Sequence, residues 1–169
     1  MCIRDSAQVQ QALDFLNDAY ENVGDYDPDT GVNTEIEFCL AKTDPDGNPH
    51  PGITRTQDPL TEVTIETEDL ALKNLIRWDP TQYINIWVVA SVGSTALNTQ
   101  VTGYAFQPTF HGTDRDGIVV EAMFVGSDAP MTALLVHHMG HYLGLYHTYE
   151  GGCLNDNCQT DGDLSLIHI

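Results

Sequence analysis

Apolar residues near the start of the chain follow a helical period. They recur every three or four positions, at Val9, Leu13, Leu16 and Tyr20. Side chains at this spacing share one face of a helix, so the pattern predicts a core-facing helix over residues 7–20. Residues 35–40 then alternate between polar and apolar, with Ile36, Phe38 and Leu40 on one side. This period of two predicts a strand.

The middle of the chain continues to alternate between helical and strand signals. Thr67 is predicted to be the N-cap of a helix that runs to Arg77. Residues 83–89 carry apolar side chains on both faces, which predicts a central strand. A last helix is predicted to begin near Pro130. Short strands are also predicted at residues 52–57, 103–106 and 118–122. This order of elements predicts a mixed α/β domain of the α+β type.

The last predicted helix carries a cluster of histidines. Residues 136–147 read VHHMGHYLGLYH, so His137, His141 and His147 have the spacing H-x-x-x-H-x-x-G-x-x-H. Residues four apart share a helix face, so His137 and His141 can aim at a common point. His147 can join them only if the chain turns back, and Gly144 permits this turn by adopting a positive φ. Three neutral imidazoles around one open position suit a catalytic zinc ion.

Two alternatives to this ligand set remain open. His138 and His141 lie three apart and form a competing pair, although the positions of Gly144 and His147 favour His137 as the partner. The histidines can also be incidental residues of a metal-free structural domain. At this histidine and glycine content, the full spacing should arise by chance in roughly one such chain per thousand. Zinc binding is therefore the favoured interpretation.

Charge and hydropathy exclude several classes of partner. The 169-residue chain has 6 Lys and Arg against 25 Asp and Glu, a formal net charge of -19. Nucleic acid and anionic membrane surfaces would repel it, and no apolar run is long enough to span a bilayer. His50 and His111 lie in polar loops and are interpreted as surface residues. The sequence carries no signal for an oligomeric state.

The histidine motif and several other blocks resemble a known protease family. The spacing is similar to the long zinc signature of the metzincins, H-E-x-x-H-x-x-G-x-x-H. The continuation HTYEGGC, the later GD, and the upstream blocks TEIEFCLA, GITRTQ and YINIWVV resemble the pappalysin and cytophagalysin branch. The likeness runs from about Val9 to Asp163. It implies a metzincin-like catalytic domain, with a twisted mixed sheet, a backing helix and a zinc-binding active-site helix.

The resemblance also implies a function. A member of this family is a secreted zinc endopeptidase, which hydrolyses a protein or peptide substrate with zinc-activated water. The substrate would add as a strand to the edge of the sheet. By resemblance, this edge is assigned to Gly103, Tyr104, Ala105 and Phe106. Calcium is a second candidate cofactor, with the acidic run at residues 155–163 either supplying ligands or forming a solvated loop.

One departure from the family signature bears on activity. The family has glutamate directly after the first histidine, and this chain has His138. That glutamate acts as general base for the attacking water and as acid for the leaving amine, and losing such a group typically lowers the rate by about 10² to 10⁴. We therefore expect impaired proteolysis: His138 stands at the position of the general base, but an imidazole near the zinc charge is a poor substitute for the carboxylate. The alternative is an inactive zinc-binding pseudoprotease that binds peptides or proteins.

Both ends of the chain are predicted to be foreign to this domain. Residues 1–6, MCIRDS, and residues 164–169, LSLIHI, can be encoded by one DNA sequence in opposite orientations, which resembles a sequencing adapter. Residues 7–163 are then a partial metzincin-like domain that lacks its first strand and its C-terminal subdomain. Cys153 and Cys158 share a loop, and can pair with each other or with a cysteine further along.

Overall fold

A computed structural model describes residues 5–26, 29–126 and 129–147, with the backbone alone for 129–132. The helices are α1 (Ser6–Glu21), α2 (Ile65–Leu75) and α3 (Ala129–Tyr142), with short 3-10 turns at Pro108–Phe110 and Ala122–Phe124. The strands are β1 (Glu62–Thr64), β2 (Ile86–Val89), β3 (Ser91–Ser94), β4 (Thr99–Val101), β5 (Gly103–Ala105) and β6 (Ile118–Glu121). The fold is therefore of the mixed α+β kind that the sequence predicts.

The strands form two three-stranded mixed sheets. In one, β3 lies between β1, to which it is parallel, and β4, to which it is antiparallel. In the other, β6 lies between β2, which is parallel, and β5, which is antiparallel. The prediction that residues 83–89 form a central strand is wrong, because β2 pairs only with β6 in the described part of the chain. Ile86 and Val88 are exposed, whereas every residue of β6 is buried.

Both helices predicted in the first half exist, although α2 begins and ends earlier than predicted. Helix α1 begins after Asp5, whose carboxylate accepts the Gln8 N–H at 2.8 Å in a capping box. The predicted N-cap at Thr67 is wrong, because α2 already begins after Thr64. The Glu68 carboxylate accepts the Thr64 N–H at 2.7 Å, and this satisfies a donor that the helix leaves free.

Two predicted strands are absent from the described residues. The segments at 35–40 and 52–57 have no strand ladder. Instead, the Asn17 side chain of α1 accepts the Phe38 N–H at 2.7 Å and donates to the Phe38 carbonyl at 2.9 Å. Gly52 packs closely against the backbone of Ala41. The backbone of Phe38 is therefore satisfied by a side chain, so its alternation of apolar residues does not require a neighbouring strand.

The core lies on both faces of β6. Ile118 and Val120 face α1 and α3, where Leu16 and Met139 are also fully buried. Val119 points to the other face, among the apolar residues of α2 and β1–β3. This arrangement packs α3 beneath β5 and β6 and so fixes the helix that carries the histidines. None of the helices described is long and apolar enough to cross a membrane.

Candidate metal centre

Helix α3 ends in a tight reversal at Gly144. The Leu145 N–H bonds to the Gly140 carbonyl at 2.9 Å, and the Gly144 N–H bonds to the His141 carbonyl at 3.0 Å. This pair of bonds is the Schellman pattern, which needs a left-handed residue. Gly144 has φ of +99°. A Cβ on Gly144 would also lie 3.2 Å from the Pro108 ring, so the turn has little room for a side chain.

The reversal brings three imidazoles to one point. The Nε2 atom of His137 lies 2.9 Å from that of His141 and 3.1 Å from that of His147, and the third separation is 3.0 Å. All three residues are partly buried, and they form a group that could hold a metal ion. A tetrahedral zinc ion separates its nitrogen ligands by about 3.3 Å. Outward shifts of a few tenths of an ångström would therefore admit the ion.

The orientation of His141 and the pKa of His137 also suit a cation. The His141 Nδ1–H donates to the Leu145 carbonyl at 2.8 Å, which leaves the lone pair on Nε2 facing the other two rings. Burial first, and then the proximity of His141 and His147, lowers the pKa of His137 to about 4. Neutral imidazoles are the form that binds metal ions. The donor set therefore fits zinc in its atoms and its geometry.

His138 lies outside this cluster. Its side chain is 7% exposed and packs beneath β5, where a Cβ on Gly103 would come within 2.8 Å of the His138 Nε2. Within the described residues, neither of its ring nitrogens has a hydrogen-bond partner. Burial first, and then the proximity of His137, His141 and His147, lowers the pKa of His138 to about 3. The structure thus groups His137 with His141 and His147, and it leaves the competing pair of His138 and His141 apart.

Strand β5 presents one edge beside the histidines. Gly103 pairs with Val120 and Ala105 pairs with Ile118, while the opposite edge of β5 has no strand partner among the described residues. Phe106 follows the end of the strand, and its N–H bonds to the Gly117 carbonyl at 3.4 Å. Residues 103–105 of the predicted edge therefore form a strand next to α3, and residue 106 does not.

Two features near this centre were missed by reasoning from the sequence. His111 is exposed, as predicted for a surface residue, but its Nε2 also lies 2.9 Å from the carbonyl oxygen of Tyr142 at the end of α3. Tyr104 of β5 donates to the carboxylate of Asp69, which forms a buried ion pair with Lys73 of α2. Both contacts join segments far apart in sequence, and local periodicity carries no signal for them.

Several predictions fall outside the described residues. The cysteine pair at Cys153 and Cys158, the acidic run at 155–163 and the C-terminal segment at 164–169 all lie there, as do the first four residues. Cys39 is free and exposed. Asp5 and Ser6, assigned to the foreign N-terminal segment, form the start of α1.

The chain is similar to known metalloproteases. An extracellular metalloprotease of Verticillium alfalfae is 33% identical over 104 residues, which are 56% of this chain and 35% of that protein. Another, from Pyricularia oryzae, is 25% identical over 87% of this chain and 44% of its own length. The chain thus spans less than half of these relatives.

Solved structures and family models give the same result. Mature mirolysin of Tannerella forsythia, solved with a cleaved peptide, matches with a TM-score of 0.75 and 27% identity, over 89% of this chain and 62% of mirolysin. This likeness confirms the metzincin-like fold. The model of the M43 peptidases, described as pregnancy-associated plasma protein-A, matches residues 67–165, which are more than half of the chain. The chain therefore belongs to the M43 peptidase family, the pappalysins.

Proposed function

We propose that this chain is the zinc-binding part of a secreted metalloendopeptidase, and that His138 impairs its proteolysis. The observation that carries the proposal is the convergence of His137, His141 and His147, whose Nε2 atoms lie within 3.1 Å of one another. Membership of a metalloprotease family supports zinc as the ion and peptides as the substrates. Secretion is supported by relatives that are named extracellular.

Each part of the site has a role in peptide hydrolysis. When bound, zinc supplies a Lewis acid that polarises the scissile carbonyl and activates water. The three histidines would hold the ion, and the bond from His141 to the Leu145 carbonyl keeps one of those rings in orientation. The edge of β5 that has no strand partner among the described residues binds the extended substrate through main-chain hydrogen bonds, so that the substrate backbone lies above α3. Calcium has no support in the described residues.

Proton transfer is the step that the chain supports least. A general base must lie within hydrogen-bond reach of the attacking water. His138 is instead packed against Gly103, and an imidazole differs from a carboxylate in shape and reach. The same observation favours the second candidate, a pseudoprotease that keeps the metal and the strand edge but only binds peptides.

Zinc content and affinity test the first half of the proposal. The 169-residue chain should bind one zinc ion, measured by competition with a chromophoric chelator. His147→Ala should weaken binding by at least about 10-fold, because it removes a ligand itself and the loss of a group that merely supports a ligand already costs about 10- to 100-fold. His50→Ala is the matched control, since His50 lies in another loop against Trp78 and should leave the affinity unchanged. Less than stoichiometric zinc in the unsubstituted chain would rule out both zinc-dependent functions.

Restoring the carboxylate tests the second half. The His138→Glu variant and the original chain are compared for cleavage of a fluorogenic protein substrate, with a chelator as the blank. We expect chelator-sensitive cleavage only with glutamate. Cleavage by the histidine form at a comparable rate would contradict the impairment. If neither form cleaves but both bind peptide in a zinc-dependent way, the pseudoprotease function is supported instead.

A further inference from the structure

The C-terminal end of α3 leaves a carbonyl group that its own turn does not satisfy. The Schellman bonds take up the carbonyls of Gly140 and His141. The next carbonyl is that of Tyr142, and helices leave such terminal acceptors without an intrahelical donor. The His111 ring lies against it, with Nε2 at 2.9 Å from the Tyr142 oxygen. Because a carbonyl only accepts, the imidazole must donate from Nε2–H.

Two further contacts attach the same loop to the same turn. The rings of His111 and Tyr142 stack with their centroids 4.3 Å apart and an interplanar angle of 29°. Pro108, three residues earlier, touches the position that a Gly144 side chain would occupy. The loop at residues 107–116 therefore contacts both the last residue of α3 and the glycine at which the chain reverses.

This loop is held in shape by its own hydrogen bonds. The fully buried Asp116 accepts the Gly112 N–H at 2.6 Å through Oδ2. The Thr113 hydroxyl donates to the Phe110 carbonyl at 2.7 Å, and the His111 N–H bonds to the Pro108 carbonyl at 3.1 Å. His111 is thus presented to α3 by a preorganised loop, and its contact with Tyr142 loses little conformational entropy on forming.

The end of α3 sets the position of two candidate ligands. Tyr142 directly follows His141, and the reversal after it leads to His147. The Leu145 carbonyl within the reversal also accepts from His141 Nδ1. A frayed helix end would therefore displace one imidazole and release the orientation of another.

We propose that His111 is a positioning residue of the metal centre, which fixes the end of α3 and thereby places His141 and His147 around the ion. This inference rests on the zinc-binding function proposed above. His111 itself lies outside the group of three converging imidazoles. It acts through the Tyr142 carbonyl, as groups that orient metal ligands commonly do.

Zinc affinity in three His111 variants tests the proposal. His111→Ala should raise the zinc Kd by about 10-fold, at the lower end of the roughly 10- to 100-fold losses seen when supporting groups are removed. His111→Leu retains apolar volume over the Tyr142 ring but has no donor, so it should also weaken binding. His111→Gln can still donate through its amide and should restore most of the affinity.

His50→Ala is a closely matched control. His50 is also a loop histidine with one ring hydrogen bond, from the Gly52 N–H at 3.0 Å, and one aromatic contact, with Trp78 at 4.9 Å. Its removal should leave the zinc Kd unchanged. The melting temperature of each metal-free variant is measured in parallel, and the visible spectrum of the Co²⁺-loaded protein reports the geometry of the ligands. A merely structural role for His111 would lower the melting temperature without changing that spectrum.

The possible outcomes are distinct. Weaker zinc binding and an altered Co²⁺ spectrum in the Ala and Leu variants, with recovery in the Gln variant, support the positioning role. Equal zinc affinity in the Leu and Gln variants would overturn it and leave the zinc function intact, even if the Ala variant did not fold. If the unsubstituted chain binds no zinc, the proposed function fails first and this inference fails with it.

Discussion

The buried charge of Lys73 provides a strong test of how this fold is held together. Lys73 is fully buried in α2, where its ammonium group lies 2.8 Å from Asp69 and also donates to the Arg115 carbonyl. It lies 4.4 Å from the centroid of the Phe106 ring, a contact of the cation–π type. Burial lowers the pKa of the Lys73 amine, and the Asp69 carboxylate counteracts this effect. The lysine thus links α2 to the segment that follows β5.

The loss of stability expected for Lys73→Met depends on how well the buried Asp69 carboxylate is still paired. Asp69 is 2% exposed, and its remaining partners would be the Tyr104 hydroxyl at 2.7 Å and the Arg115 guanidinium at 3.8 Å. Removing one member of a buried ion pair lowers the free energy of unfolding by about 3–5 kcal/mol, because the other charge stays buried. Tyr104→Phe removes one hydrogen bond to a charged group, which is a loss of about 1.5–3 kcal/mol. The double variant Asp69→Leu/Lys73→Met removes both charges and should be more stable than Lys73→Met alone.

Urea unfolding followed by tryptophan fluorescence measures these differences. Trp87 lies 5.5 Å from the Lys73 ammonium and reports on the same region. With a slope of about 2 kcal/mol per molar urea, Lys73→Met should lower the unfolding midpoint by about 2 M. A decrease below about 0.5 M would refute the reasoning. A double variant less stable than Lys73→Met would refute it as well, since the cost would then not come from an unpaired charge.

Two further predictions concern a turn and a surface carboxylate. Gly144→Ala should lower the free energy of unfolding by about 1–2 kcal/mol, because alanine disfavours the left-handed backbone. The added methyl group would also press on Pro108, so equilibrium dialysis should show weaker zinc binding. Unchanged zinc affinity would contradict this reasoning. Hydrogen bonds from the Ser94 hydroxyl and the Thr95 N–H lower the pKa of Glu66 from 4.5 to about 2. The Glu66 carboxylate therefore contributes fully to stability above pH 4.5, and this contribution is lost as the pH falls towards 2. The melting temperature of Glu66→Gln should accordingly depend less on pH in that window than the melting temperature of the unsubstituted protein.

Local patterns predicted the helices better than the strands. The apolar stripe of α1 ends in the core, where Leu16 is fully buried, because a helix satisfies its own backbone and needs only one apolar face. A strand also needs a partner, which alternation does not reveal. Ile36 and Phe38 alternate well, yet Asn17 takes the place of the neighbouring strand at Phe38. The predicted start of α2 was wrong for a related reason. The hydrogen bond at the actual start, from the Thr64 N–H to the Glu68 carboxylate, is not visible in the apolar pattern.

The convergence of the histidines was predictable because it depends on short-range geometry. His137 and His141 lie one turn apart on α3, and Gly144 reverses the chain three residues later, so the positions of the residues in sequence nearly determine their positions in space. The burial of His138 was not predictable. It follows from the missing side chain of Gly103, on a strand 35 residues earlier, which leaves room for the imidazole beneath β5.

The same stretch of chain connects the candidate substrate edge to the candidate metal centre. Strand β5 is followed directly by the loop at residues 107–116, which contacts the end of α3 through His111 and Pro108. Strand β5 is also held by the hydrogen bond from the Tyr104 hydroxyl to Asp69 of α2. A connection of this kind ties the candidate peptide-binding edge to the candidate metal ligands, and catalysis by a bound metal depends on a fixed relation between substrate and metal. It follows that substitutions in the loop should disturb the metal geometry and the position of the β5 edge together, whereas substitutions at the candidate ligands should leave the β5 edge in place.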